Sequence, residues 1–546
     1  MEYQVTTEST ILLLYLNPLD WSSIIAPPYG LEILAASVKD LRVKVVIHNP
    51  FLYRDSDFES QRLIRSLDPV MIGISLRNLD NLAHVWNTKS EFYNGIQSYS
   101  FLPEIEQTVS MICQNTTAPV VIGGSGFSIA PVELLRRFGL RIGVKGPGET
   151  TFRQLVHAVL HGEDVERFVV CEAEKLPGIV VLKNSSVVVN EEPATALFQK
   201  ELPLIERMPE YNPSWTGFVP VRVSEGCSGR CTFCVEAERY PGVVWRPPEQ
   251  TIAEMARLDF DDARAVWFTC GEFNLPDEKY AIDLCRQIVA ARLPELVLYS
   301  YFLPRPFSRD LYYALREAGF TDHSVCFDIV HPSDRILERN HIGFRRRDID
   351  NLLDNLIGVG ASGFSVGLML GLPGETEETL VEAAEWVRKM DTLFGKAFHC
   401  SYNCGARVYP GTGLERIARA GEQDDVLYGA NDPDYLMPVV YSTPWPPRHI
   451  EEFFHSACAG CQGIVTNYTK GSPMFHEQPE VVVSWQHAHV CRCSSDLEGA
   501  VVEFRRALSL AESPIVRDQI AEELASCLIQ LGRLKEAREL GRFLLC

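Results

Sequence analysis

Ser224–Cys234 reads SEGCSGRCTFC, and the rest of the chain is best read outward from it. Cys227, Cys231 and Cys234 form a C-x3-C-x2-C pattern directly after Val219–Val223, an apolar run with the composition of a strand. Three thiolates this close in one loop can face a common point, and soft sulfur ligands select iron–sulfur clusters, zinc or copper. Gly226 and Gly229 keep the loop backbone pliable enough to wrap such a group. Three protein ligands on a four-iron cluster leave one iron open to bind something else. On the residues alone, two other readings stand: three buried thiols, or zinc with a distant fourth ligand.

Downstream of the loop, apolar runs alternate with helical patterns. Strand candidates are Ala265–Thr269, Leu296–Tyr301, Ser324–Asp328, Gly363–Leu370 and Ser401–Tyr409. With Val219–Val223 they predict a partial (β/α)6 barrel over residues 216–425, whose chemistry sits at the carboxyl ends of the strands. The polar residues at those ends are the site candidates. Glu272 lies in FTCGEFNLP, Tyr299, Tyr301 and Arg305 in LYSYFLPRPF, and Asp328 in CFDIV. A tyrosine there can act as a base. The plainer roles are packing for the tyrosines, a structural carboxylate for Asp328, a helix-start charge for Glu272 and an ordinary turn for Gly371 and Gly374 in GLMLGLPGET.

Upstream, residues 1–165 show the same rhythm. Ile11–Leu16, Val43–Ile47, Val70–Ser75, Val120–Gly123 and Gly143–Lys145 read as strands, with Leu31–Leu41, Leu102–Gln114 and Pro131–Phe138 as helices. Such alternation predicts a doubly wound, Rossmann-like α/β domain. Its ligand end would carry Gly73, Ser75, Arg77 and Asn78, then Gly123, Gly124 and Ser125, then Gly146 and Glu149. Residues 166–215 read as a connector, with β-like runs at Ile179–Leu182 and Val187–Val189. Residues 426–546 read as a mostly helical cap. Residues 495–546 weakly resemble one tetratricopeptide unit, which cannot form a solenoid alone.

Composition narrows the partners. Lys plus Arg is 51 and Asp plus Glu is 72, a net charge of −21. That balance argues against a nucleic-acid or anionic-membrane surface. The longest N-terminal apolar run, Ile11–Leu16, is far short of the ~20 residues of a membrane span. No signal peptide is read, and the cytoplasm is the expected compartment. There the 16 cysteines serve as thiols or ligands, not as a disulfide framework. Cys458 and Cys461, followed by His487, His489, Cys491 and Cys493, read chiefly as ordinary thiols, with zinc or an auxiliary cluster as the alternative.

The cysteine motif and its context resemble the radical S-adenosylmethionine (SAM) enzymes. The resemblance implies a [4Fe–4S] cluster on Cys227, Cys231 and Cys234, with SAM chelating the fourth iron. It implies SAM contacts from Phe233, Glu272, Asp328, Gly371 and the Ala406–Thr412 segment ARVYPGT, which includes Arg407 and Tyr409. The fragments APPYGLEILAA, GISLRNLDN, VVIGGSGFSIAPVELL and VKGPGETTF are similar to the cobalamin-binding domain of cobalamin-dependent (class B) radical SAM methyltransferases. The D-x-H-x-x-G pattern that supplies a cobalt-ligating histidine in many cobalamin binders is absent; the corresponding loop is NPLDWSS, and His48 stands after the wrong strand. Arg77 is the candidate for cobalt's lower side. A cation cannot coordinate cobalt, and it would favour the base-off, low-valent form.

The function this implies is methyl transfer from SAM by way of methylcobalamin to a carbon of a small molecule or amino acid, in natural-product (antibiotic) biosynthesis. Within the family, the tryptophan 2-C-methyltransferases are the most specific match. They methylate without the usual hydrogen abstraction, and a carboxylate at the position of Glu272 can occupy the open iron. The catalytic candidates are then Glu272 and Tyr301. Flavodoxin or ferredoxin is the implied electron donor. The alternatives are a non-methylating cobalamin radical SAM enzyme (ring contraction or cyclisation) and, from another class, a non-catalytic metal-binding scaffold.

Overall fold

A computed structural model describes residues 9–18, 27–53, 55–80, 91–93, 96–98, 100–183, 186–191, 208, 219–236, 242–258, 265–293, 296–421, 426–467, 481, 484–485, 487–488, 491–492, 496–512 and 514–543. The first sheet contains β1 (Thr10–Tyr15), β2 (Lys44–His48), β3 (Met71–Ser75), β4 (Val120–Gly123), β5 (Ile142–Val144), β6 (Ile179–Lys183) and β7 (Ser186–Val189). Their order is β2-β1-β3-β4-β5-β6-β7. The first five are parallel, and β6 and β7 close the edge as an antiparallel hairpin. β1 is apolar throughout because helices cover both of its faces; Ile11, Leu12 and Leu14 are fully buried. The strand order reverses between β1 and β3, and a doubly wound sheet opens its ligand crevice at such a point.

The hairpin corrects the expected connector. Residues 179–189 belong to the first sheet, and helix Val165–Glu172 packs on that same core through Val165 and Val169. The first domain therefore continues past residue 165.

The second sheet is wholly parallel, in the order β8 (Val219–Arg222), β9 (Ala265–Thr269), β10 (Val297–Phe302), β11 (Phe320–Val330), β12 (Phe364–Leu370), β13 (Phe398–Cys404) and β14 (Ile464–Asn467). Helices such as Lys279–Ala291, Arg309–Ala318, Arg346–Gly358 and Glu377–Phe394 return the chain along its outer face. Burial alternates along β10, β12 and β13. The fully buried members, such as Phe302, Phe364 and Phe398, pack under the helices, and the half-buried members line the lumen.

β14 is a seventh strand, one more than the six-unit reading, and it corrects the boundary at 425. Residues 427–429 and 439–441 also form a small antiparallel sheet with Ala406–Arg407. Helix Pro447–Ala457 then leads toward β14. The helical region proper holds Leu497–Leu510, Pro514–Gln530 and Leu534–Phe543 around a core of its own that includes Phe504, Ile520 and Leu524. Among the described residues, no helix is long and apolar enough to cross a membrane.

Candidate functional site

The cysteine loop leaves the carboxyl end of β8 and is pinned on three sides. Gly242 N–H donates to the Cys227 carbonyl (3.0 Å), and Leu414 N–H donates to the Thr232 carbonyl (2.7 Å). Thr232 bonds Asn340 through both its N–H (3.1 Å) and its hydroxyl (2.9 Å). Asn340 is fully buried and donates onward to the Pro373 carbonyl (3.0 Å), which ties the loop to the glycine-rich turn after β12. Gly229 cannot be replaced cheaply, since a Cβ there would stand 3.2 Å from Cys227 Sγ and 3.8 Å from Cys231 Sγ.

Burial raises the Cys227 thiol, with Glu272 and Glu236 adding to the shift. Burial, then Cys234, Cys227 and Glu272, push Cys231 up to about 12. Buried thiols such as Cys227 and Cys231 need a strongly cationic partner to ionise, and an iron–sulfur cluster is one. Among the described residues, no three His, Cys, Asp or Glu side chains converge on a point that would hold a single metal ion. Three thiolate donors on one loop are the soft ligand set that an iron–sulfur cluster takes.

Glu272 follows β9 in a loop fixed by Asn274. That amide donates to the Leu303 carbonyl (2.9 Å) and accepts from Leu303 N–H (3.0 Å). Phe273 N–H meanwhile donates to the Tyr301 carbonyl (2.9 Å). Glu272 is enclosed, and its Oε2 has no hydrogen-bond partner. Burial and then the neighbouring Asp328 hold its carboxyl well above the usual range. Burial pushes Asp328 up to about 7. Asp328 lies opposite Gly367 in the register, where a Cβ would come within 2.9 Å of its Oδ1. Tyr299 and Tyr301 flank Trp267: the Tyr299 ring stacks on it at 5.9 Å and the Tyr301 ring meets it edge-on at 5.0 Å. The lumen therefore has an aromatic wall on one side and a carboxyl pair near its mouth.

A cavity of about 630 Å³ joins the two sheets. From the first domain come Tyr15, Gly73, Ser75, Arg77, Asn78, Gly123, Gly124, Ser125, Gly146 and Glu149; from the second come Arg222, Glu225, Gly226, Cys270, Gly271 and Tyr409. Every first-domain residue singled out from sequence thus lies on one wall. Ser125 Oγ donates to the Arg77 carbonyl (3.0 Å) and Gly146 N–H to Ser128 Oγ (2.9 Å), which orders the three loops. Tyr15 is raised to about 12 by burial, partly offset by Arg77. Burial raises Glu149 to about 7 against the pull of Arg222. Burial opposes the charge on Arg222, but Glu225 (2.7 Å) and Glu149 sustain it.

Several expected residues lie elsewhere. Arg407 is not on the cavity wall: its guanidinium is buried against Asp80 and backbone carbonyls. Gly371 has φ +83°, and a Cβ there would meet Ser442, Gly405 and Ile450, so the turn itself requires glycine. Phe233 packs on the barrel core. Arg305 faces outward near Asp348. His48 stacks on Tyr53 and does not line the cavity; burial lowers it to about 4, which keeps it neutral. Cys458 belongs to the barrel core and Cys491 packs on the C-terminal helical core; His489 and Cys493 lie outside the described residues.

Arg222, Glu225, Asn274 and Asn340 escaped the sequence reading. Only Arg222 left a signal there, as a charge inside the apolar run VPVRV.

A parallel barrel with a three-cysteine loop after its first strand is joined here to a doubly wound domain. Residues 221–387 match the model of the Radical SAM superfamily. It is 23% identical over 454 residues to the tryptophan 2-C-methyltransferase of Streptomyces laurentii, covering 71% of each chain. It is 26% identical over 409 residues to an uncharacterized methyltransferase of Pyrococcus horikoshii, covering 72% of this chain and 79% of the relative. In fold it is similar to TsrM, a radical SAM methyltransferase from Kitasatospora setae solved with cobalamin and a [4Fe–4S] cluster. The TM-score is 0.70 at 21% identity, over 90% of this chain and 99% of that one. The cobalamin-dependent SAM radical enzyme OxsB gives a TM-score of 0.55 at 14% identity, over 95% of this chain and 71% of that one.

Proposed function

We propose that this chain is a cobalamin-dependent radical SAM methyltransferase that moves the methyl group of SAM to a carbon of a small planar aromatic substrate, with tryptophan C2 the first candidate. The observation that carries this reading is the shared cavity. Glycine-rich strand ends of a cobalamin-type domain form one wall, and the loop with Cys227 forms the other. When bound, the cluster, SAM and cobalamin supply the electron, the methyl group and its carrier.

The chain's own residues do the rest. Cys227, Cys231 and Cys234 hold the cluster. Gly73, Gly123, Gly124 and Gly146 line the cavity, and close packing requires glycine at two of them: a Cβ at Gly73 would meet Leu13 at 2.6 Å and one at Gly124 the Leu76 carbonyl at 2.5 Å. Arg77 lines the cavity and would set a cation beside bound cobalamin; in an Arg77→Gln variant, an unchanged cobalt spectrum and rate would remove that role. Glu272 has an uncommitted acceptor for an amino group or for iron. Trp267, Tyr299 and Tyr301 offer stacking faces for an aromatic ring, with Tyr301 the nearest candidate for proton transfer. The enclosed lumen keeps water from a reactive intermediate.

The specific substrate is supported by two likenesses. The Streptomyces laurentii relative is a tryptophan 2-C-methyltransferase, and TsrM has been solved with tryptophan and a SAM analogue.

The test is the balance of SAM-derived products in an anaerobic reaction containing tryptophan, a strong reductant and the reconstituted enzyme. S-adenosylhomocysteine and methylated tryptophan without 5′-deoxyadenosine fit transfer without hydrogen abstraction. Equal amounts of 5′-deoxyadenosine and S-adenosylhomocysteine, tracking methylated product, point instead to hydrogen abstraction and transfer to an sp3 carbon. Neither product in the presence of any planar amine or aromatic acid would overturn the assignment.

A further inference from the structure

Arg407 was expected to touch a cofactor, and its real surroundings suggest a different task. The guanidinium is almost wholly buried, with 5% of the side chain exposed, and its partner Asp80 is 0% exposed. Arg407 Nε donates to Asp80 Oδ2 (2.8 Å). Its Nη2 donates to the carbonyls of Tyr435 (3.0 Å) and Leu436 (3.2 Å), and its Nη1 to that of Val408. The Arg407 Cζ also sits 4.8 Å from the centroid of the Tyr409 ring, a cation–π contact.

These partners belong to different parts of the molecule. Asp80 follows Arg77 and Asn78, which line the cavity from the first domain. Leu436 and Met437 extend from the barrel side and pack into a core of the first domain. Tyr409 lines the cavity from the barrel side. One guanidinium therefore fixes both walls of the cavity and the segment that bridges them.

We infer that Asp80, Arg407 and Tyr409 form a positioning relay: Asp80 orients the guanidinium, the guanidinium holds the Tyr409 ring at the cavity wall, and corrin uptake depends on that placement. The inference rests on reading the cavity as the cobalamin site. Lysine cannot replace Arg407 in this task. It lacks the planar face that stacks on the ring and the fork that serves Asp80 and two carbonyls together.

The experiment titrates hydroxocobalamin into the chain reconstituted with iron and sulfide, and follows the corrin absorbance. Arg407→Lys and Tyr409→Leu should each raise the cobalamin Kd roughly tenfold or more, with iron and sulfide content held at wild-type values. Tyr409→Phe keeps the ring and should stay within about threefold of wild type. If Arg407→Lys lowers the melting temperature but leaves the Kd unchanged, the ion pair is a clamp and the relay is wrong. Tyr409→Leu leaves the ion pair in place, so it decides the matter even where Arg407→Lys does not fold; a wild-type Kd there also overturns the relay. A wild-type chain that takes up no hydroxocobalamin would overturn the reading of the cavity itself, and the relay with it.

Discussion

Cys227, Cys231 and Cys234 are single residues whose removal has a sharp consequence. Each Cys→Ala change should abolish retention of iron and sulfide after reconstitution, while far-ultraviolet circular dichroism stays as in wild type; retained iron in any of the three would contradict the ligand set. Glu149 makes a prediction about pH. Burial lifts its carboxyl from 4.5 to about 7. The native chain then binds a proton that the unfolded chain releases, so this contribution to stability is full below about pH 4.5 and is lost as pH rises through about 7. In the cofactor-free chain, Glu149→Gln should flatten that loss, by on the order of 2 kcal/mol near pH 8. Denaturant midpoints between pH 5 and 8 measure it, and parallel slopes for the two proteins would contradict it. Residue roles were only partly legible in sequence. A three-cysteine spacing announces its chemistry because no ordinary loop requires it. Arg407 misled because its place in a motif is the same whether its side chain faces a ligand or Asp80. Asn274 and Asn340 left no trace, since a buried amide that ties two loops looks like any loop asparagine until the loops are in place.

At the scale of elements, the glycine-rich turn after β12 is held by packing. Gly371 has φ +83°, and a Cβ there would meet Ser442 Oγ at 2.9 Å and Gly405 N at 3.0 Å. Gly371→Ala should cost about 2 kcal/mol or more, seen as a lowered melting temperature of the cofactor-free chain. The loop after β9 makes the complementary case. Asn274→Ala removes both bonds to Leu303, so SAM should bind several-fold more weakly while iron content is unchanged; unchanged SAM affinity would show that Glu272 does not need this support. Strands β1 to β5 were readable because each is a short apolar run with glycine or polar residues at its carboxyl end. β14 was not, because Ile464–Asn467 is only four residues long and follows CAGCQG, Cys458–Gly463, a cysteine- and glycine-bearing stretch that reads as loop. The β6–β7 hairpin was seen as β-like, but its pairing with β5 is long-range and has no local signature.

Across the whole molecule, the cores sort the parts by dependence. Phe504, Ile520 and Leu524 pack in a core drawn from residues 481–540, separate from the barrel core. A chain ending at residue 480 should therefore still take up iron and cobalamin; loss of both would give the C-terminal helices a structural role that their packing does not suggest. The two α/β domains are different, because each supplies one wall of the same cavity. That meeting was foreseeable only as a sum of two domain readings, and the residues that join them, Asp80 with Arg407 and Glu149 beside Arg222, become visible only in three dimensions. The central claim is that this cavity serves methyl transfer from SAM to carbon. The most direct test incubates the anaerobically reconstituted chain with methyl-deuterated SAM and tryptophan, with and without cobalamin, and reads the product by mass spectrometry. The account predicts a deuterated methyl group on carbon that appears only when cobalamin is present. Methylation that proceeds equally well without cobalamin, or SAM consumed with no label reaching carbon in tryptophan or related aromatic substrates, would contradict it.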